Sequence, residues 1–142
     1  MTALTDAVKD EIQTAYRTWL AARDFKPRRG QRQMIAQIAR SLSADEDRIA
    51  VVEAGTGTGK TAAYCLAAIP LAQSLNKTIV LSTATVALQE QVILQDLPDI
   101  QERAGLKFSL TLAKGRGRYL CLKRLDDPVS YTHLTLPTML WV

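Results

Sequence analysis

The 142-residue chain has no apolar run approaching the ~20 residues that a membrane-spanning helix needs. It also lacks the apolar centre of a secretory signal: the first residues carry Asp6, Asp10 and Glu11 instead. Cysteine is scarce, with only Cys65 and Cys121. Two cysteines without a secretory signal make no disulfide framework and point to a reducing compartment, so a cytoplasmic setting without membrane contact is expected. Cys65 lies among small apolar residues and reads as a buried packing residue. The one histidine, His133, is assigned no role. No internal repeat is visible.

What is present suits a single domain with a real core: 47% hydrophobic and 23% charged residues. The net charge is +4, a mild hint of a polyanionic partner. Arg23, Lys26, Arg28, Arg29 and Arg32 cluster early, and Lys114, Arg116, Arg118, Lys123 and Arg124 late. By charge alone, either cluster reads first as a solvated face.

Helical spacing of Val8, Ile12, Ala15, Tyr16, Trp19 and Leu20 predicts a first helix, with Thr5 as its N-cap. A second follows Pro27, with Met34, Ile35, Ile38, Ala39 and Leu42 on one face. "RIAVVEA", "KTIVLST" and "KFSLTLA" then read as buried strands. Between them lie a helix from Lys60 to about Leu75, kinked or divided at Pro70, and one capped by Thr85. The apolar positions of the latter are Val86, Leu88, Val92 and Leu94, and it ends near Pro98. This alternation predicts an α/β fold with a parallel sheet preceded by two helices.

"AGTGTGKT", Ala54–Thr61, fits the phosphate-binding pattern G-x-x-x-x-G-K-[ST], with Ala54 in the first glycine position. Gly55, Gly57 and Gly59, with Thr56 and Thr58 between them, let the backbone turn N–H groups inward around phosphate oxygens. The following helix start adds free N–H groups and the positive end of its dipole. Lys60 supplies a point charge to the outer phosphates, and the Thr61 hydroxyl can ligate Mg²⁺. The device alone selects no function, because kinases, GTPases, motors and helicases share it.

Further motifs narrow the field. Arg28, Gln31 and Met34 in "FKPRRGQRQMI" resemble the RxxQxxM adenine-reading motif of superfamily 2 helicases, in which a glutamine amide favours ATP over GTP. Ser82, Thr83, Thr85, Leu88 and Gln91 in "LSTATVALQEQV" resemble motif Ia of the iron–sulfur helicases related to XPD. Alone, the first segment also fits a surface loop entering a helix, and the second a capped helix after a strand. "DLPD" and "KGRGRYLC" complete a set of five segments in family order, from about residue 4 to 125.

This resemblance implies a partial RecA-like P-loop NTPase domain over residues 1–125. It implies ATP and Mg²⁺ at Arg28, Gln31 and Ala54–Thr61, with Lys60 and Thr61 as the catalytic pair, and single-stranded DNA at Thr83, Thr85 and Gln91. It makes Cys121 one of four thiolates on a [4Fe–4S] cluster in an intact 5′-to-3′ DNA helicase, expected as a monomer. The family's motif II Asp-Glu pair follows no apolar strand here, and only one cluster cysteine is present. Taken alone, the chain is therefore expected to be inactive in ATP turnover and unwinding, with low solubility from unpaired strand edges. Residues 126–142, with no Asp, Glu, Lys or Arg after Asp127, read as a tail foreign to the family, resembling translated adapter sequence on a truncated reading frame. The alternatives are a small P-loop kinase or a non-enzymatic nucleotide- or DNA-binding module.

Overall fold

A computed structural model describes residues 4–46 and 48–120 of the chain. Cys121 and the 126–142 tail lie outside the described residues. The chain divides into two compact units, Met1–Leu110 and Thr111–Val142.

Helix α1 spans Asp6–Ala22. The Val8 N–H donates to the Thr5 hydroxyl at 3.4 Å, capping the first turn. Val8, Ile12, Ala15, Tyr16, Trp19 and Leu20 are the residues it buries, the stripe that the 3.6-residue period predicts. Helix α2 spans Arg29–Ser43 and buries Gln31, Ile35, Ile38, Ala39 and Ser43. Met34 and Leu42, at the edges of its apolar face, are partly buried against the core.

Helix α3, Lys60–Ser74, begins where expected but is not divided at Pro70. The ring of Pro70 is fully buried, and packing offsets the lost backbone bond. Ala63, Leu66, Ala67, Ile69 and Leu71 are also buried, so apolar residues surround α3 rather than forming a stripe.

Beyond Thr85 the helix does not end at Pro98. It runs as α4, Val86–Gln91, then a π-helical turn, Val92–Asp96, then α5, Leu97–Arg103. Pro98 offers no N–H, and its ring crowds the carbonyl four residues back. The π turn absorbs this by widening: the Leu97 N–H bonds to the Val92 carbonyl, five residues back. Of the four apolar positions expected to pack, only Val92 is buried. Val86, Leu88 and Leu94 are exposed, and Ile100 of α5 enters the core instead.

The expected parallel sheet is not found. Among the described residues there is no β-strand, and the packing of the first unit is helix on helix, with α3 covered by α1, α2 and α5. Segments 48–54, 77–83 and 106–113 run without ladder pairing. Val51 is 92% exposed and Val80 88%. β-Branched residues record a fit to a pleated, half-buried surface. They do not supply the neighbouring strand, and a parallel ladder satisfies its N–H and C=O groups only through neighbours. The α/β, RecA-like fold class is corrected accordingly.

One polar cluster ties α1 to α5. The Trp19 Nε1–H donates to Asp99 Oδ2 at 2.8 Å. Arg23 and Arg103 each reach Asp99 Oδ1 at 2.8 Å. The Arg23 guanidinium also lies 5.2 Å from the Trp19 ring centroid and 5.5 Å from that of Phe25. The "DLPD" segment thus supplies both the helix-widening proline and the carboxylate that docks α5.

Cys65 on α3 is buried. Burial, with a smaller contribution from Asp96, pushes its thiol up to about 12. It should stay unalkylated by iodoacetamide at pH 8 in the folded chain, as read by peptide mass. Modification at the rate of a free thiol would show that α3 is open. The neutral thiol contributes stability that is complete below its unfolded pKa near 9 and is lost as pH climbs toward 12.

Candidate nucleotide-binding site

The loop Ala54–Gly59 leads into the first turn of α3. Gly57 and Gly59 have φ of 74° and 75°, the left-handed region that glycine enters without strain. Both glycine carbonyls are held by side chains from the start of α2. Arg28 Nη1 donates to Gly57 O at 2.8 Å, and Gln31 Nε2 donates to Gly59 O at 3.3 Å. Gly59 O also accepts the Ala63 N–H of α3 at 3.0 Å, using its second lone pair. A Cβ built on Gly59 would lie 2.5 Å from Gln31 Nε2, whereas one on Gly55 or Gly57 would meet nothing within 4 Å. The loop is therefore braced from the α2 side and open along the rest of its length.

Lys60 curls back over the loop. Its Nζ donates to Ala54 O at 2.7 Å and to Gly55 O at 2.9 Å, leaving one of its three donors unassigned. Thr58 Oγ1 also donates to Gly55 O, at 2.8 Å. Thr56 is exposed. The Tyr64 phenol, one turn on from Thr61, is pushed above its ordinary value by burial, with the Thr61 side chain pulling it down. The first N–H groups of α3 have no carbonyl one turn earlier to bond, and Gly59 has no side chain to cap them. Backbone donors, a dipole end and an ammonium group therefore converge on one short loop, as an anion requires.

The structure brings Arg28 and Gln31 onto Ala54–Thr61. It does so by a route that the sequence did not suggest: Gln31 is buried, at 6% exposure, and both ends of its amide are engaged. Nε2 holds Gly59 O, while Oε1 accepts the Tyr16 hydroxyl at 3.0 Å. Tyr16 appeared in the sequence only as one residue of an apolar stripe, and nothing local signals a partner 15 positions away.

Thr83, Thr85 and Gln91 make local bonds. The Thr85 hydroxyl accepts the Leu88 N–H at 3.2 Å, capping α4. Thr83 Oγ1 donates to Thr85 O at 3.3 Å. Gln91 Nε2 reaches Asp96 Oδ2 at 3.5 Å, across the π turn. No described hydrogen bond joins them to the glycine loop.

In the second unit, Arg116–Arg118 form a 3₁₀ turn. The Tyr119 hydroxyl accepts the Lys114 N–H at 2.8 Å and donates to Leu112 O at 3.4 Å. The cluster ligand expected at Cys121 lies outside the described residues.

Comparison with known proteins turns this geometry into a family. The DEAD/DEAH box helicase profile matches residues 28–138, from the arginine that holds the loop to beyond the described region. The chain belongs to the DEAD/DEAH box helicase family. It is 46% identical over 125 residues to the ATP-dependent DNA helicase DinG of Escherichia coli K12 and to that of Salmonella typhimurium. Each of these matches covers 87% of this chain and 17% of the relative. It is 44% identical over 127 residues to the DinG helicase of Photobacterium profundum, covering 87% of this chain and 18% of the relative. The chain thus spans less than a fifth of the length of these relatives. Among the described residues, no helix is long and apolar enough to cross a membrane.

Proposed function

We propose that this chain binds ATP at Ala54–Thr61 and forms the N-terminal part of the ATP-binding domain of a DinG-like DNA helicase, over residues 1–125. The observation that carries this reading is the glycine loop braced by Arg28 and Gln31, with Lys60 folded over it. In this reading the Lys60 ammonium leaves the Ala54 and Gly55 carbonyls for the outer phosphates, where charge-assisted bonds are stronger. The α3 N–H groups orient the phosphates. The remaining N–H and lone pair of Gln31 face the base edge, and Arg28 stays on the loop.

Among the described residues, no group of three or more His, Cys, Asp or Glu side chains could hold a metal. Mg²⁺ would be held by the Thr61 hydroxyl together with the phosphates, where it would supply charge neutralisation. A [4Fe–4S] cluster does not fit this chain: it needs four thiolates, and the sequence holds two cysteines. The cluster and 5′-to-3′ unwinding are proposed only for a longer protein that carries this segment. Single-stranded DNA is proposed to lie along Thr83, Thr85 and Gln91, whose hydroxyl and amide groups suit sequence-independent backbone contact.

The test is equilibrium binding of Mg·ATP to this chain and to its Lys60→Ala variant. Loss of one charged hydrogen-bonding group should weaken binding by about tenfold or more. Equal affinity in the two proteins would overturn the site. GTP competing as well as ATP would overturn the role of Gln31 at the base.

A further inference from the structure

We propose that Tyr16 is a positioning residue for the phosphate loop, acting through Gln31, so that helix α1 sets the geometry of the nucleotide site. This rests on the nucleotide reading above for its effect on binding, but not for its effect on the loop itself.

The bonds form one continuous chain. The Tyr16 hydroxyl donates to Gln31 Oε1 at 3.0 Å, and Gln31 Nε2 donates to Gly59 O at 3.3 Å. Gly59 is the left-handed N-cap of α3, directly before Lys60. Tyr16 and Gln31 are both buried, so water competes poorly for these bonds. A primary amide can turn end for end, exchanging oxygen and nitrogen at almost no cost in shape. With the amide reversed, its oxygen would face the Gly59 carbonyl, acceptor against acceptor. The tyrosine forbids that arrangement: its O–H, with no other described acceptor, needs the oxygen on its own side. Tyr16 therefore reinforces the amide orientation that pins the Gly59 carbonyl, and the pinned carbonyl holds Gly59 in the conformation that starts α3 at Lys60. α1 and the loop are far apart in sequence, and Gln31 is the side chain that links them.

Tyr16→Phe keeps the ring in the core and removes only the donor. In the nucleotide-free chain it should speed amide exchange across residues 55–61 by about fivefold, the worth of one buried hydrogen bond, and leave α1 and α3 protected. Mg·ATP affinity should fall by a similar factor. In a Gln31→Met background, Tyr16→Phe should change neither quantity further, because the link is already cut. An equal Tyr16→Phe effect in both backgrounds, or faster exchange spread evenly over the chain, would show that Tyr16 acts through packing alone and would overturn the proposal. Unchanged loop exchange would overturn it too. If the parent chain binds no ATP but the loop responds as described, the nucleotide reading fails and the positioning role stands.

Discussion

Gly59→Ala is expected to weaken Mg·ATP binding by on the order of a hundredfold. Two costs combine. At φ of 75° an L-residue loses roughly 1–2 kcal/mol. The new Cβ would also stand 2.5 Å from Gln31 Nε2, and Gln31 cannot swing away without leaving the Tyr16 hydroxyl. Gly57→Ala separates the two costs. It has the same sign of φ, at 74°, but open space around its Cβ, so it should lose only the conformational part, about tenfold. Titration of both variants with Mg·ATP checks this. Equal losses would show that the Gln31 contact is not what shapes the loop, and near-normal binding by Gly59→Ala would show that the left-handed turn is dispensable.

Asp99→Ala should lower stability by about 3 kcal/mol and the melting temperature by about 10 °C. The carboxylate is largely buried and serves the Trp19 indole and two arginines together. Its removal leaves a part-buried N–H and the Arg23 cation without their acceptor and takes away one of the Arg103 contacts, while the Arg103 bond to the Ala22 carbonyl remains. Asp99→Asn keeps an acceptor for Trp19 and loses the ion pairs, which are half-exposed at the arginine ends. It should cost about 1 kcal/mol. Thermal melts at fixed salt measure both. An alanine variant melting within about 2 °C of the parent would reduce the cluster to a surface contact.

The contrast between these two sites shows what could be read in advance. Gly59 was visible in the sequence, because a tight loop that turns through the left-handed region needs glycine there. Asp99 stood within a recognised segment, but its work was not legible: Trp19, Arg23 and Asp99 are joined across some 80 positions. The α1 stripe was read residue for residue, since a helix buries whatever its 3.6-residue period brings to one side. The helix after Thr85 was misread for the complementary reason. Pro98 predicts an end to the helix, yet a π turn lets the helix pass, with Leu94 exposed and Ile100 in the core.

The apolar segments 48–54, 77–83 and 106–113 stay unpaired for a physical reason. A helix satisfies its backbone within itself, so local sequence suffices to specify it. A strand is completed by another strand, so apolar β-branched runs such as "AVVEA" and "TIVLS" state a preference that only tertiary partners can fulfil. By itself, the sequence of this protein determined the apolar faces of α1 and α2, the glycine loop and the family resemblance, each encoded in residues close together in the chain. Tertiary structure alone decided that helices rather than a sheet surround α3, that Asp99 docks α5, and that Tyr16 reaches the loop through Gln31. Those outcomes depend on groups far apart in sequence meeting at hydrogen-bond distance, and no local pattern records which of them meet.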